Sequence, residues 1–403
     1  MQPLKGIKVV DLSKVLAGPL CAQYLGELGA EIIKIEPVGQ GDDTRGWLPQ
    51  TNGQSAIFMA VNHNKRSLAL DLKTQAGQKI LHELVQSADV VLQGFGGGTA
   101  AKLKVDHATL SAINPKLIYC EISGYGRSGP LGDEPGYDVM LQAFSGMIST
   151  MGASSGEFAR ASFSPVDMGT GMFGLSGVLA ALLERGRTGK GVYLELSLLD
   201  TSLGFLTYMA QSYWQSGIDP KPMGTGHPSM CPYQVFETAD QPIMLGAGND
   251  AQWRRFCSIA GLEEHVDRPD LATNALRVKN MSTTVALVQT KMKTKTLAQW
   301  LECLSKNGVP AAPIHKLSEA LAHPQVAARG LIVQTEHPTV GALQQIGLPI
   351  KFQDEDRRAH RPPPMLGEHS QEVLSELGYS DEAIQALRST GVIQSASGVD
   401  VCK

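Results

Sequence analysis

The chain lacks paired cysteines. Its six, Cys21, Cys120, Cys231, Cys257, Cys303 and Cys402, contain no C-x-x-C, so they read as free thiols in a reducing compartment, not as a disulfide frame or zinc site. Its ten histidines contain no H-E-x-x-H or comparable ligand spacing, and no metal is expected. Charge of one sign is missing too: 35 Lys and Arg stand against 39 Asp and Glu, net -4, which disfavours nucleic acid or an anionic membrane as partner. No apolar run approaches the ~20 residues that span a bilayer, and MQPLKGIKVV has neither the basic start nor the apolar core of a signal peptide. The expected location is cytoplasmic, the mitochondrial matrix only if a targeting segment has been removed. There is no G-x-G-x-x-G opening a helix and no G-x-x-x-x-G-K-[ST], so neither a nicotinamide dinucleotide nor a nucleoside triphosphate site is expected.

What is present is an ordinary core-forming composition, 42% hydrophobic over 403 residues, enough for two or three domains. GIKVVDL (6–12) reads as a buried strand, AGPLCAQYLGELG (17–29) as a helix and AEIIKIE (30–36) as the next strand. RSLALDL (66–72), QAGQKILHELVQSA (75–88) and DVVLQGF (89–95) repeat the alternation, and KLIYCEISGYG (116–126) extends it. Such a series predicts an α/β, doubly wound Rossmann-like sheet whose ligands bind outside the carboxyl ends of the strands. The loops there, VLAGPL, EPVGQGDDTRGW, GFGGGTAAKLK and SGYGRSGP, offer glycine amides and positive charge to a phosphate-bearing ligand. RGRTGKG (185–191) reads as a solvated turn.

GIDPKPMGTGHPSMCP (217–232) is dense in Pro and Gly and predicts a crossing between domains. YQVFETADQPIMLGAGND predicts a hairpin followed by helices, an α+β unit. The expected division is a large domain over 1–216, a crossing with a glycine loop over 217–232, a small α+β domain over 233–325, and a return linker with the rest of the large domain over 326–403. Two strands are expected within 330–352 and a final helix in SQEVLSEL.

The stretch ASFSPVDMGTGMFGLSGVLAALLE (161–184) places one acid, Asp167, before a long run of small and apolar residues. Asp is a preferred N-cap, so the helix is expected to begin at or just after Asp167. Gly171, Gly174 and Gly177 recur every third residue, a pattern that lets another backbone or a ligand approach closely.

Several stretches together resemble one family, the class III CoA-transferases: AGP, then LGELGAEIIKIEPVGQGDDTRGW, NHNKRSLALDL, NPKLIYCEISGYGRSGP, GYDVMLQAFSGM, PVDMGTG, RTGKG and PMLGEHSQEVL, in order from about Leu4 to about Leu387. The resemblance implies a homodimer of interlocked rings, each with a Rossmann-like domain and a smaller inserted domain. It implies an acyl-CoA thioester as substrate, no permanently bound cofactor, and Asp167 as nucleophile. GTGHPSMCPYQVF and LGAGND resemble members that move CoA between dicarboxylates such as succinate, glutarate and itaconate. The family's glycine loop matches Gly224, Thr225 and Gly226, with His227 beside them; Tyr137 falls near the thioester. Its CoA contacts match Leu16, Ala17, Leu72, Lys73, Gly94, Phe95, Gly96 and Lys102.

The sequence departs from some members at Pro37, where others carry a basic residue; Arg45 then either supplies that charge or pairs with Asp42 or Asp43. His63, Arg66, Arg160 and His227 are candidates for holding the acceptor's second carboxylate. An intramolecular, mesaconyl-CoA type transferase is the alternative. An α-methylacyl-CoA racemase needs a His where Tyr137 stands, and Tyr is a poor base near neutral pH. Loss of the acid would mark a non-catalytic acyl-CoA binder, and the acid is present.

Overall fold

The β-branched runs of the N-terminal half form one sheet. In the computed structural model, which describes residues 2–352 and 361–396, strands β1 (Lys8–Leu12), β2 (Glu31–Glu36), β3 (Lys65–Leu70), β4 (Val90–Gln93), β5 (Ile118–Ser123) and β6 (Val192–Ser197) pair in the order 3-2-1-4-5-6, all parallel. The short C-terminal strand Ile393–Gln394 adds antiparallel to β3. Cys402 lies outside the described residues.

Period-2 alternation sends neighbouring side chains to opposite faces. Val10, Leu12, Ile33, Ile35, Leu68 and Leu70 pack on one side with Ile80, Leu81 and Leu84 of helix α2 (Gln75–Gln86), which follows the N-terminal helix α1 (Ala17–Glu27). Val9, Ile32, Val90, Leu92, Ile118 and Ile122 pack on the other, beneath α1. Both faces are covered, which is why the strands read as continuous apolar runs instead of alternating ones.

The apolar stretch after residue 136 breaks into short helices, α3 (Asp138–Phe144) and Met147–Thr150, because Gly146 turns through a positive φ of 91°. The long helix α4 (Pro165–Thr188) follows, then α5 (Leu198–Phe205) and α6 (Thr207–Ser216). Helix α4 is long and apolar enough to cross a membrane by length and composition, with a mean hydropathy of 1.5 in its best window, against the expectation that no apolar run approaches that length. Its glycines give it a packing role in this fold: a Cβ on Gly171 would stand 2.7 Å from the Ala17 carbonyl oxygen, and one on Gly177 2.7 Å from the Leu194 side chain. The three-residue glycine spacing therefore seats α4 on α1 and β6.

The chain divides into two compact units, one of Met1–Met147, Ala161–Gly217 and Gln325–Lys403, the other of Ile148–Arg160 and Ile218–Pro324. The hairpin Ile332–His337 with Gly341–Ile346 belongs to the first. The second has its own three-stranded antiparallel sheet, Ala311–Pro313, Ile243–Gly246 and Tyr233–Phe236. Helices Asp250–Ala260, Met281–Met292 and Leu297–Lys306 close over it around Trp253, Phe256 and Trp300. The segment Ile148–Arg160 groups with this unit, apart from the sequence on either side of it.

Candidate active site

In a 3-2-1-4-5-6 sheet the direction of winding reverses between β1 and β4, and the loops leaving their carboxyl ends splay apart to make a crevice. A cavity of about 260 Å3 lies there, lined by Ser13–Gly18 after β1, Gly94–Gly96 after β4, the Ser123–Gly124 end of β5, Glu134–Tyr137 and Asp167. A second cavity of about 420 Å3 shares Ser13, Lys14 and Phe95 with the first and continues to Lys34, Pro37, Asp42, Leu72 and Lys73. The loop after β1 is thus the common wall. A Cβ on Gly96 would meet nothing within 4 Å, so that glycine leaves the crevice open.

Of the residues matched to a thioester ligand, the first cavity brings together Leu16, Ala17, Gly94, Phe95, Gly96, Tyr137 and Asp167, and the second adds Leu72 and Lys73. Lys102 is exposed at the end of Thr99–Lys102 and lines neither. Arg45 also lines neither. Its Nε and Nη2 bind both oxygens of Glu36 at 2.7 Å, its Nη2 donates to the Pro364 carbonyl at 3.1 Å, and its guanidinium stacks 3.7 Å over Phe58. Neither expected partner holds it, since Asp42 pairs with Lys34 and Asp43 with Lys14. A cation saturated in this way ties strand to loop, and among the described residues lining the second cavity the lysine outside an ion pair is Lys73.

The start of α4 corrects the capping expectation. The helix opens at Pro165 behind Ser164, whose φ of 54° is left-handed, so Asp167 is the third helical residue and not the cap. The cap is supplied from α3: Asp138 Oδ2 accepts from the amides of Val166 at 2.8 Å and Asp167 at 3.1 Å, while Met168 N–H goes to the Ser164 carbonyl at 3.0 Å. Asp138 Oδ1 is held in turn by Gln142 Nε2, and Gln142 Oε1 accepts from Ala161 N–H at 3.0 Å. The first-turn amides that would otherwise favour a carboxylate on Asp167 are therefore occupied by a second carboxylate. Burial, with the nearby Asp138 charge, pushes Asp167 up from 3.8 to about 7. Helix α1, by contrast, begins in the same cavity with no side-chain cap at Leu16.

The distal-carboxylate candidates sit elsewhere. His63 is buried, 2.9 Å from Glu27 and 3.1 Å from Gln345. Arg66, at the amino end of β3, is taken by Glu31, and by Glu372 and Glu376 at 2.8 Å each. Both hold the fold together. Arg160 is exposed on the second unit. The glycine loop also belongs to that unit: Gly224 has φ 61° and donates to the Gly152 carbonyl at 2.9 Å, Thr225 Oγ1 accepts from Val235 N–H at 3.0 Å, and Gly226 N–H goes to the Met223 carbonyl. His227 accepts from Ser229 N–H at 3.0 Å and stacks edge-on to Tyr233.

Sequence reasoning missed Asp138 and Arg127. Asp138 directly follows Tyr137 in GYD, and an Asp opening a helix 29 residues ahead of a second acidic helix start was the available signal. Arg127 lines the first cavity and bonds Glu121 and the Phe95 carbonyl, fixing the wall after β4.

A family model described as CoA-transferase family III matches residues 4–370. The human succinyl-CoA:glutarate CoA-transferase is 37% identical over 395 residues, covering 98% of this chain and 90% of that protein. The succinate–glutarate CoA-transferase of Agrobacterium fabrum is 38% identical over 382 residues, 93% of this chain and 96% of its own length. A solved CAIB/BAIF family protein from Brucella suis is 37% identical with a TM-score of 0.82, covering 93% of this chain and 99% of that one.

Proposed function

Because this chain belongs to CoA-transferase family III and is a CoA-transferase, we propose that it moves CoA from succinyl-CoA to a second dicarboxylate, glutarate or itaconate, through an acyl group carried on Asp167. The Asp167 carboxylate attacks the thioester carbonyl; the tetrahedral intermediate collapses to a mixed aspartyl anhydride and CoA thiolate. The thiolate attacks the aspartyl carbonyl and releases succinate, leaving an aspartyl-CoA thioester. The acceptor's carboxylate then displaces CoA to form a new anhydride, and the thiolate attacks its acceptor-derived carbonyl, freeing Asp167.

The observation that carries this reading is a half-desolvated carboxyl at the crevice where the winding reverses. A carboxylate stripped of water is a stronger nucleophile, and an anhydride survives only where water is kept away. The uncapped head of α1 supplies amide dipoles toward the oxyanion, a role the amides of α4 cannot fill while Asp138 holds them. Leu72 and Lys73 along the second cavity suit the nucleotide end of CoA, with Lys73 as its phosphate cation. Tyr137, 59% exposed at the cavity rim, orients the acyl group.

Incubation with succinyl-CoA and a panel of dicarboxylates, followed by mass measurement of the thioesters, tests the reading. New thioesters with glutarate or itaconate are expected; no exchange with any acceptor sinks it. A homodimer of interlocked rings is part of the proposal. Met172, Phe173, Leu203, Phe205, Tyr208 and Trp214 are exposed on α4, α5 and α6, apolar side chains that a second subunit would cover. Light scattering should give twice the chain mass, and a monomer at micromolar concentration would refute the dimer.

A further inference from the structure

Four buried charges meet beneath the loop joining β1 to α1, and the transfer chemistry uses none of them. Asp11, Lys34, Asp42 and Lys65 are each at most 2% exposed. They form two ion pairs, Asp11 with Lys65 at 3.0 Å and Asp42 with Lys34 at 2.9 Å.

Three of the four also grip the loop's backbone, and Lys65 grips the first turn of α1. Ser13 N–H donates to Asp11 Oδ1 at 3.0 Å, and Lys34 Nζ donates to the Ser13 carbonyl at 2.9 Å. Val15 N–H reaches Asp42 Oδ1 at 3.3 Å, and Lys65 Nζ donates to the Pro19 carbonyl at 2.8 Å. Asn62 Oδ1 accepts a third bond from Lys65 at 2.8 Å. Between these anchors lies Val15, a β-branched residue at φ 71°, where only glycine is at ease.

Stability does not account for the arrangement. Desolvating an ion costs several kcal/mol even after relaxation, and apolar side chains of equal volume often hold a core as well or better. Burial is felt here: it holds Lys65 down to about 8 despite Asp11. A strained backbone persists only where its surroundings over-determine it, and bonds at residues 13, 15 and 19 bracket the strain. The residues they bracket, Val15, Leu16 and Ala17, face the cavity that holds Asp167.

Resting on the acyl transfer proposed above, we propose that Asp11, Lys34, Asp42 and Lys65 are positioning residues that fix the backbone of residues 13–19 so that the head of α1 faces the carbonyl Asp167 attacks. They act through the loop and not on the substrate. A displacement of about 1 Å in such a group costs on the order of a hundredfold in rate, so the network is felt in kcat.

The test is the double variant Asp11→Asn/Lys65→Met, which removes one pair without leaving a buried charge alone. Single-turnover reaction with succinyl-CoA, quenched with hydroxylamine to trap acyl-Asp167 as a hydroxamate, gives the acylation rate. A fall of about ten- to a hundredfold in that rate and in kcat is expected, with KM for succinyl-CoA within about threefold and a cooperative melt that leaves the protein folded at the assay temperature. Acylation at the wild-type rate, or a loss no larger than the loss of folded protein, overturns the proposal. A wild-type enzyme that never forms the hydroxamate would instead overturn the transfer chemistry itself. Should the double variant not fold, Lys34→Met/Asp42→Asn, which removes the other pair and its two loop contacts, is read the same way.

Discussion

Asp167→Asn should abolish CoA transfer, by about four orders of magnitude or more, and should yield a protein more stable than the wild type at pH 8. The first half follows because Asp167 is the acyl carrier in the proposed chemistry and Glu134 is the one other carboxyl among the residues lining that cavity. The second half follows from linkage. Asp167 titrates at about 7 when folded, pushed up by burial and by Asp138, against 3.8 when unfolded. Below about pH 4 both states hold the proton and the carboxyl costs nothing. Between about pH 4 and 7 the unfolded chain releases it first, so the penalty grows, and above 7 it is constant at roughly 2 to 4 kcal/mol. Asparagine has no proton to release and escapes the penalty. Thermal melts at pH 4 and pH 8 should therefore show the variant gaining stability only at the higher pH. Retained transfer would refute the covalent mechanism; a pH-independent stability difference would refute the electrostatic account.

Much of this molecule was legible in its sequence because parallel sheets advertise themselves. Buried on both faces, β1 to β5 leave apolar runs that alternate with helices, and the strand order then places the crevice after β1 and β4 without reference to any side chain. The edge strand β6, exposed on alternate residues, lacks the continuous apolar run of the strands inside the sheet and gave a weaker signal. Helix Asp381–Ser389 and strand Ile393–Gln394 escaped because nothing in the last residues shows which sheet edge they join.

The polar side of the site was less legible, for one physical reason: what a charged residue does depends on its partner, and partners here are far apart in sequence. Arg45 looked like a ligand cation until Glu36 and Phe58 claimed it. Arg66 answers to Glu372 and Glu376, some three hundred residues away. Asp167 was read as its own helix's cap because capping is local in most helices; Asp138 took the position from another helix, with the opposite electrostatic consequence.

Asp138→Asn is the substitution that separates those two electrostatic pictures. In the wild type, kcat/KM for succinyl-CoA should rise with pH through a limb near 7, as the free enzyme's Asp167 loses its proton. Burial is the larger cause of that elevation and Asp138 the smaller, so neutralising Asp138 should lower the limb by about one pH unit and no further. Asparagine keeps a carbonyl oxygen where Oδ2 accepts from Val166 and Asp167, so the helix start should hold; Asp138→Ala should move the limb too and also cost about 1 kcal/mol for the lost cap. The two carboxyls then have distinct jobs, one reacting and the other setting when it can. At pH 8 the Asn variant should turn over more slowly than the wild type, because a less basic carboxylate is a weaker nucleophile, while at pH 5.5 its relative rate should recover as more of it is ionised. A pH–rate profile with an unmoved acid limb would show that Asp138 only anchors the helix, and the charge between the two acids would carry no catalytic weight.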